Sequence, residues 1–307
     1  MKQKRLRAEL ALAGVTLIWG TTFVVVKSAL ADVSVFVFLT LRFSIAAVAL
    51  ALIYGKAVRR EGLKAGILAG GLLFLAYVFQ TLGLASTTPS KSAFLTGLSI
   101  PMVPLVSSLV YRSKPRLVEV AGILIASLGM IFLTLPSVSD LRSGMSRGDL
   151  LSLLCAATFA FHIVIIGRYS QLHGFESLAV IQIAVAAVLG SVVFGFAEPV
   201  RFHMTAGVAA AVLITGLLAT ALAFTTQAWA QQYTSSTRAA LIFALEPLVA
   251  WLTSYVVTGE KMGGRGKVGA VMILAGILVV ELKRAESTKV EVSKDESVTI
   301  PTMGTSE

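Results

Sequence analysis

The chain has 307 residues, 56% of them hydrophobic and 14% charged, with 26 Lys and Arg against 16 Asp and Glu, and a mean hydropathy of +0.85. Soluble domains run at roughly 45–50% apolar and 25% charged, so a water-soluble core cannot absorb this excess. The net charge of +10 does not point to nucleic acid, because the basic residues sit in short hydrophilic breaks between apolar stretches rather than on one soluble face.

The first apolar stretch, residues 10–28, follows the basic run KQKRLR and precedes Ala29-Leu30-Ala31, which imitates a signal peptide and its cleavage site. It is too long for a signal core, and Lys27 stands between it and the supposed site, so it is read as an uncleaved first span. Further spans are expected at 34–54, 63–85, 92–111 and 117–135. A polar linker at 136–148 carries Pro136, Asp140, Arg142 and Arg147, and five more spans follow at 149–166, 176–196, 205–230, 237–257 and 267–281. Residues 284–307 are charged and rich in Ser and Thr, which reads as a disordered cytoplasmic tail. The expected fold is an all-α membrane protein of about ten transmembrane helices.

Alternating the loops places Lys2, Lys4, Arg5, Arg7, Lys56, Arg59, Arg60, Lys64, Arg112, Lys114, Arg116, Arg168, Arg238 and the C-terminal Lys283, Arg284, Lys289 and Lys294 on one side. Lys27, Lys91, Arg142, Arg147, Arg201, Lys261, Arg265 and Lys267 fall on the other. Basic loops stay in the cytoplasm, so both termini are expected there, in a multi-pass cell (inner) membrane protein with the linker external.

An internal repeat organises the chain. Setting Pro101 against Pro247 aligns Thr88 with Thr234, Ser90 with Ser236, Ala93 with Ala239, Leu95 with Leu241 and Ser108 with Ser254. One inserted residue later, Gly122 meets Gly269 and Gly129 meets Gly276. The halves, 1–135 and 149–283, each hold five spans. An odd number sends the second half into the membrane from the opposite side, making two inverted five-helix repeats, an arrangement typical of transporters. The glycines of each pair share one helix face, where another backbone can approach closely.

Only Arg42 and Glu246 fall deep inside spans, each costing about 2.5–3.5 kcal/mol if it faced lipid at mid-depth. Glu246 precedes Pro247, which removes a backbone donor, so a carboxylate beside a disrupted helix is a candidate for a proton or a cationic substrate group. Arg42 is the candidate partner for it. Polar and aromatic stripes also recur at helical spacing: Thr16, Trp19, Gly20 and Phe23; Tyr77, Gln80 and Thr81; Ser92, Thr96 and Ser99; Thr220, Phe224 and Gln227. In lipid they would be unpaired, so they should turn inward around a cavity suited to an amphipathic zwitterion. His162 lies mid-span and could titrate or donate a hydrogen bond. His173 and His203 lie in loops and form no metal set with it, and the lone Cys155 allows no intramolecular disulfide.

Other classes fit poorly. An intramembrane enzyme would need paired acids, an H-E-x-x-H pair or a nucleophile with its base. The run Gly263 to Val268 matches a P-loop only at Gly266-Lys267. A receptor or assembly factor would need extramembrane material that the chain hardly has.

The segments WGTTFVVVK, LRFSIAAVAL, LASTTPSKSAFLTGLSIPMVPL and ALIFALEPLVAWLTSYVVTGEKMGGRGKVGAVMILAGILVVEL make the chain similar, from Glu9 to Lys283, to the drug/metabolite transporter superfamily in its EamA-type ten-helix branch. The resemblance departs at two places: Ser113-Lys114 stands where the second half has Gly259-Glu260, and Phe159-Ala160 where the first has Trp19-Gly20. It implies a central cavity lined mainly by helices 1, 3, 4, 6, 8 and 9, alternating access, no cofactor and no metal, with His162 close to the cavity. The expectation is a secondary transporter, an exporter by resemblance, of small polar or amphipathic metabolites such as amino acids. Its alternative is an uptake permease for a vitamin, nucleobase or quaternary amine. Candidate substrate-binding residues are Trp19, Phe23, Tyr77, Gln80, Thr81, Thr96, His162, Phe224 and Gln227, with Glu246 and Arg42 as cavity charges. No catalytic residue is expected. The expected partners are a small-molecule substrate and the lipid bilayer, with a coupling proton and a second copy of the chain left open.

Overall fold

The computed structural model describes residues 2–87, 89–112, 116–134, 146–259 and 263–280. Residues 136–145 of the linker and the 284–307 tail therefore lie outside the described residues. All ten stretches become helical. α1 is Lys2–Ala29, α2 Val35–Tyr54 and α3 Leu63–Ala85. α4 has two segments, Pro89–Gly97 and Ser99–Tyr111, and α5 is Leu117–Thr134. In the second half α6 is Arg147–Tyr169 and α7 Phe175–Ala197. α8 runs through Ala206–Leu213, a π-helical Ile214–Leu222 and Ala223–Ala230. α9 has two segments, Ser236–Phe243 and Glu246–Thr258, and α10 covers 264–280. Among the described residues, strand-like pairing is limited to one antiparallel bridge, Val33 with Phe202.

Among the described residues, eight helical stretches are long and apolar enough to cross a membrane, and the apolar run of α5, Leu117–Phe132, is shorter. At 1.5 Å per residue, α5 and α10 each reach about 25 Å, slightly under the roughly 30 Å of a hydrocarbon core. α1 starts well before residue 10. Its first turns are held by tertiary packing, with Ala8 and Leu12 fully buried, and by an i,i+4 pair within the helix, Arg5 with Glu9 at 3.0 Å.

The surface is apolar and part of the interior polar, unlike a soluble bundle. Leu52, Phe196 and Val256 are more than three-quarters exposed, while Thr16, Ser92, His162, Gln182 and Thr215 are fully buried. With hydrocarbon as solvent, apolar side chains gain nothing by turning inward and polar ones lose their only partners by turning out. Small residues let the helices close. A Cβ on Gly70 would come within 2.6 Å of the Gln182 carbonyl, and one on Gly83 within 3.0 Å of the Gly148 carbonyl, so α3 lies backbone to backbone on α7 and α6. α5 and α10 meet along the two glycine pairs.

The interruptions of α4 and α9 fall at equivalent points of the repeat. Leu98 breaks α4, Ala244 and Leu245 break α9, and the offset that aligns Pro101 with Pro247 also aligns Leu98 with Ala244. Each proline therefore sits in the first turn of a new segment, where its missing N–H leaves no hydrogen bond unmade. The expected kink at Pro247 is thus a full break just before Glu246.

The described members of the two basic sets separate to opposite ends. At one end Lys27 donates to the carbonyls of Leu84 and Ala85 at 2.8 and 2.9 Å, Lys91 pairs with Asp149 at 2.9 Å, and Arg201 donates to the Leu30 carbonyl at 2.7 Å. At the other, Arg238 lies between Glu9 and Glu119, and Arg168 donates to the Val110 carbonyl at 2.7 Å.

Candidate functional site

α1, α2, α3, α4, α6, α8 and α9 enclose a cavity of about 50 Å³ at the middle of the bundle. Its walls hold Trp19 and Phe23 of α1, Arg42 of α2, Tyr77, Gln80 and Thr81 of α3, and Thr96 of α4. From the second half come His162 of α6, Phe224 and Gln227 of α8, and Glu246 of α9. The nine candidate substrate-binding residues and both candidate charges therefore reach one space, whereas Thr16, Gly20, Ser92 and Thr220 of the same stripes do not line it. The helices implied by resemblance all contribute, and α2 is an addition to them.

Arg42 enters through the π-helical segment of α8. The wider turn lets the Thr220 hydroxyl donate to the Thr215 carbonyl, five residues back, at 2.8 Å. Regular α-helical pairing lapses there, and the Ala219 carbonyl turns outward to accept from Trp19 Nε1 at 2.9 Å. Arg42 Nε donates to Thr220 Oγ1 at 2.6 Å, and Nη2 donates to the Tyr77 hydroxyl at 2.9 Å and more weakly to the Ala219 carbonyl at 3.4 Å. Its guanidinium carbon lies 4.2 Å from the Tyr77 ring centre, a cation–π distance. The suggested pairing of Arg42 with Glu246 is not found: neutral groups accept from its Nε and Nη2. Among the described residues, no hydrogen bond or ion pair reaches the Glu246 carboxylate. Its carboxylate opens the second segment of α9, where the helix dipole favours negative charge.

Aromatic rings form a continuous wall around these charges. Trp19 lies 5.2 Å from both Phe224 and Phe243. Tyr77 lies 5.5 Å from Phe159 and 6.0 Å from Phe224, and His162 5.6 Å from Phe224. His162 Nε2 is 2.9 Å from Gln182 Oε1, so with that oxygen as acceptor Nε2 carries the proton and Nδ1 stays an acceptor. Gln227 Nε2 donates to Gln231 Oε1 at 3.1 Å, leaving its own buried Oε1 without a partner. Thr96 Oγ1 lies 3.8 Å from the sulfur of the buried Cys155. Among the described residues no group of three His, Cys, Asp or Glu is placed to hold a metal ion.

Sequence reasoning missed Phe159 and Phe243 as lining residues. The repeat carries the signal for both, since Phe159 occupies the place of Trp19 and Phe243 that of Gly97, and both counterparts line the cavity. The π-helical segment left no mark in the sequence that propensity could read.

A broken helix in each half, meeting at a mid-bundle cavity with buried charges, is transporter architecture. The model of the EamA-like transporter family matches this chain twice, at residues 6–135 and 146–282. The chain belongs to the EamA-like transporter family. It is a multi-pass membrane transporter of the drug/metabolite transporter superfamily, with one family unit in each half. This EamA-like transporter is 38% identical over 280 residues to an uncharacterized transporter of Archaeoglobus fulgidus, covering 91% of this chain and 87% of the other. It is 24% identical to the uncharacterized transporter YoaV of Bacillus subtilis, covering 88% and 95%. A solved crystal structure at 20% identity, with a TM-score of 0.73 over 90% of this chain and 98% of that one, shares the fold.

Proposed function

We propose that this transporter is a secondary exporter of small polar or amphipathic metabolites such as amino acids, working by alternating access about the central cavity. The observation that carries the reading is the pairing of an uncommitted Glu246 carboxylate with an aromatic-walled space that also holds the Arg42 guanidinium. A zwitterion presents an ammonium to the first and a carboxylate to the second, and the unpartnered Gln227 Oε1 accepts one more donor. A space of about 50 Å³ holds only a few water molecules, so loading requires the surrounding helices to move apart. The breaks in α4 and α9 are natural hinges for that motion. Glu246 is the candidate carrier of a coupling proton. Export, rather than uptake, follows from the family resemblance, and the positive-inside asymmetry supports cytoplasmic termini in the cell inner membrane.

The aromatic wall around a carboxylate also suits a quaternary amine, through cation–π attraction. Flux of a labelled panel of amino acids and quaternary amines from proteoliposomes, with and without a proton gradient, separates the two. Gradient-stimulated amino-acid flux supports the exporter reading. Transport that requires ATP and ignores ion gradients overturns it.

A further inference from the structure

A second recess, of about 550 Å³, opens at the basic end of the bundle, the end that the proposed topology places in the cytoplasm. It is separate from the central cavity. Along α4, Ile100 lines the cavity and Pro104 the recess, with the fully buried Val103 between them. Along α9, Ala240 plays the same part between Phe243 and Arg238.

The wall of the recess is electropositive. It carries Arg5, Arg116 and Arg238 against Glu119, and with Glu9 paired to Arg5 at 3.0 Å three cations still face two carboxylates. Arg238 is only 6% exposed, and its acceptors stand off: Glu119 Oε1 lies 3.6 Å from Nε, and Glu9 Oε1 lies 3.8 Å from Nη1. A charge-assisted hydrogen bond forms at about 2.7–2.9 Å, so both pairs are slack. Nη1 makes no hydrogen bond at all. Arg238 also lies in the first turn of α9, whose Ser236 faces the same recess, so the helix N-terminus adds its positive end to the guanidinium. Arg116 is exposed and has no ion-pair partner among the described residues. A buried guanidinium with unspent donor capacity, beside a roomy and net positive recess, fits an anionic ligand better than a cation or an apolar group.

We propose that this recess is an anion-binding site distinct from the central cavity, holding a carboxylate or phosphate group between Arg238 and Arg116. The bound anion competes with Glu9 and Glu119 for Arg238, and so loosens the ion pairs that join α1, α5 and α9 at this end.

The test is thermal unfolding of the purified protein in phosphatidylcholine nanodiscs, titrated with inorganic phosphate or succinate and, at matched ionic strength, with sodium chloride. Phosphate or succinate is expected to raise the melting midpoint by about 3 °C beyond chloride near saturation. Arg238→Gln should abolish the shift, and Arg116→Gln should reduce it by about half by removing one of two anchoring charges. Arg116 is exposed, so its variant carries the test if Arg238→Gln accumulates poorly. Repeating the titration in phosphatidylglycerol nanodiscs assigns the source of the ligand. A shift that persists there assigns the site to free solutes, and one that disappears assigns it to an anionic lipid headgroup. No shift beyond chloride in the wild type, or an undiminished shift in Arg116→Gln, overturns the proposal. Binding is read without flux, so the exporter reading can fail while this one stands.

Discussion

A Cβ on Gly122 of α5 would lie 2.6 Å from the Gly276 carbonyl oxygen of α10, and a Cβ on Gly276 would lie 2.5 Å from the Gly122 carbonyl oxygen. Gly129 and Gly269 repeat the contact one step along, the Gly269 carbonyl standing 2.7 Å from a Cβ on Gly129. The repeat aligns Gly122 with Gly269, yet Gly122 touches Gly276, the counterpart of Gly129. Contact between non-equivalent members of an aligned pair is what a two-fold relation between the halves produces. The helices run antiparallel and their backbones touch where side chains are missing.

Gly122→Val should therefore cost at least the 1–3 kcal/mol or so of core overpacking, because the Gly276 backbone as well as the Val280 side chain obstructs the new atoms. The expected result is a melting midpoint lower by several degrees and less protein in the membrane. Gly71→Ala is the control: a Cβ there meets nothing within 4 Å, so the change should be neutral or add up to about 1 kcal/mol through helix propensity. Equal behaviour of the two variants would contradict the packing account.

Glu246→Gln keeps volume and most hydrogen bonding while removing the charge. It should accumulate at near-normal levels and lose at least roughly tenfold in flux, worth about 1.4 kcal/mol. Normal transport by this variant would defeat a coupling or counter-ion role, and failure to accumulate would make the residue structural. Trp19→Ala and Gln227→Ala should change the order of preference among substrates more than the maximum rate, measured in the same proteoliposomes.

Tyr77→Phe removes the hydroxyl that accepts from Arg42 but keeps the ring beneath the guanidinium. Loss of a buried hydrogen bond to a charged group costs about 1.5–3 kcal/mol. Thermal unfolding in detergent should show a drop of a few degrees, matched by Thr220→Val, which removes the acceptor for Nε. Arg42→Lys should not restore stability, because an ammonium cannot reach both acceptors in the planar geometry of a guanidinium. Wild-type stability in all three variants would mean that the π-helical segment does not depend on Arg42.

Orientation is testable with single cysteines in a Cys155→Ala background. A membrane-impermeant thiol reagent applied to intact cells should label a cysteine at Ser139, in the 136–148 linker, and leave one at Ser287 unlabelled. The reverse pattern would turn the proposed topology over.

Much of this protein was legible in its sequence because the bilayer imposes simple rules. Runs of apolar residues must become helices, and Arg42, Glu246 and the stripes through Trp19, Tyr77 and Phe224 must turn inward, so span positions and wall residues follow from composition and period alone. The matching prolines and glycines exposed the repeat for the same reason, since each marks a backbone requirement rather than a packing preference.

Only the tertiary structure decided how the inward residues pair. Arg42 pairs with Tyr77 and Thr220 rather than with Glu246, because a π-helical stretch turns Thr220 and the Ala219 carbonyl toward it. That stretch meets Trp19 of α1 and Arg42 of α2, partners that no local propensity encodes. The same holds for Glu9, Glu119 and Arg238, which are far apart in sequence and meet only when α1, α5 and α9 pack at one end of the bundle. Periodicity states which face of a helix turns inward, whereas the partner on that face depends on the crossing of helices that the close approach of glycine backbones permits.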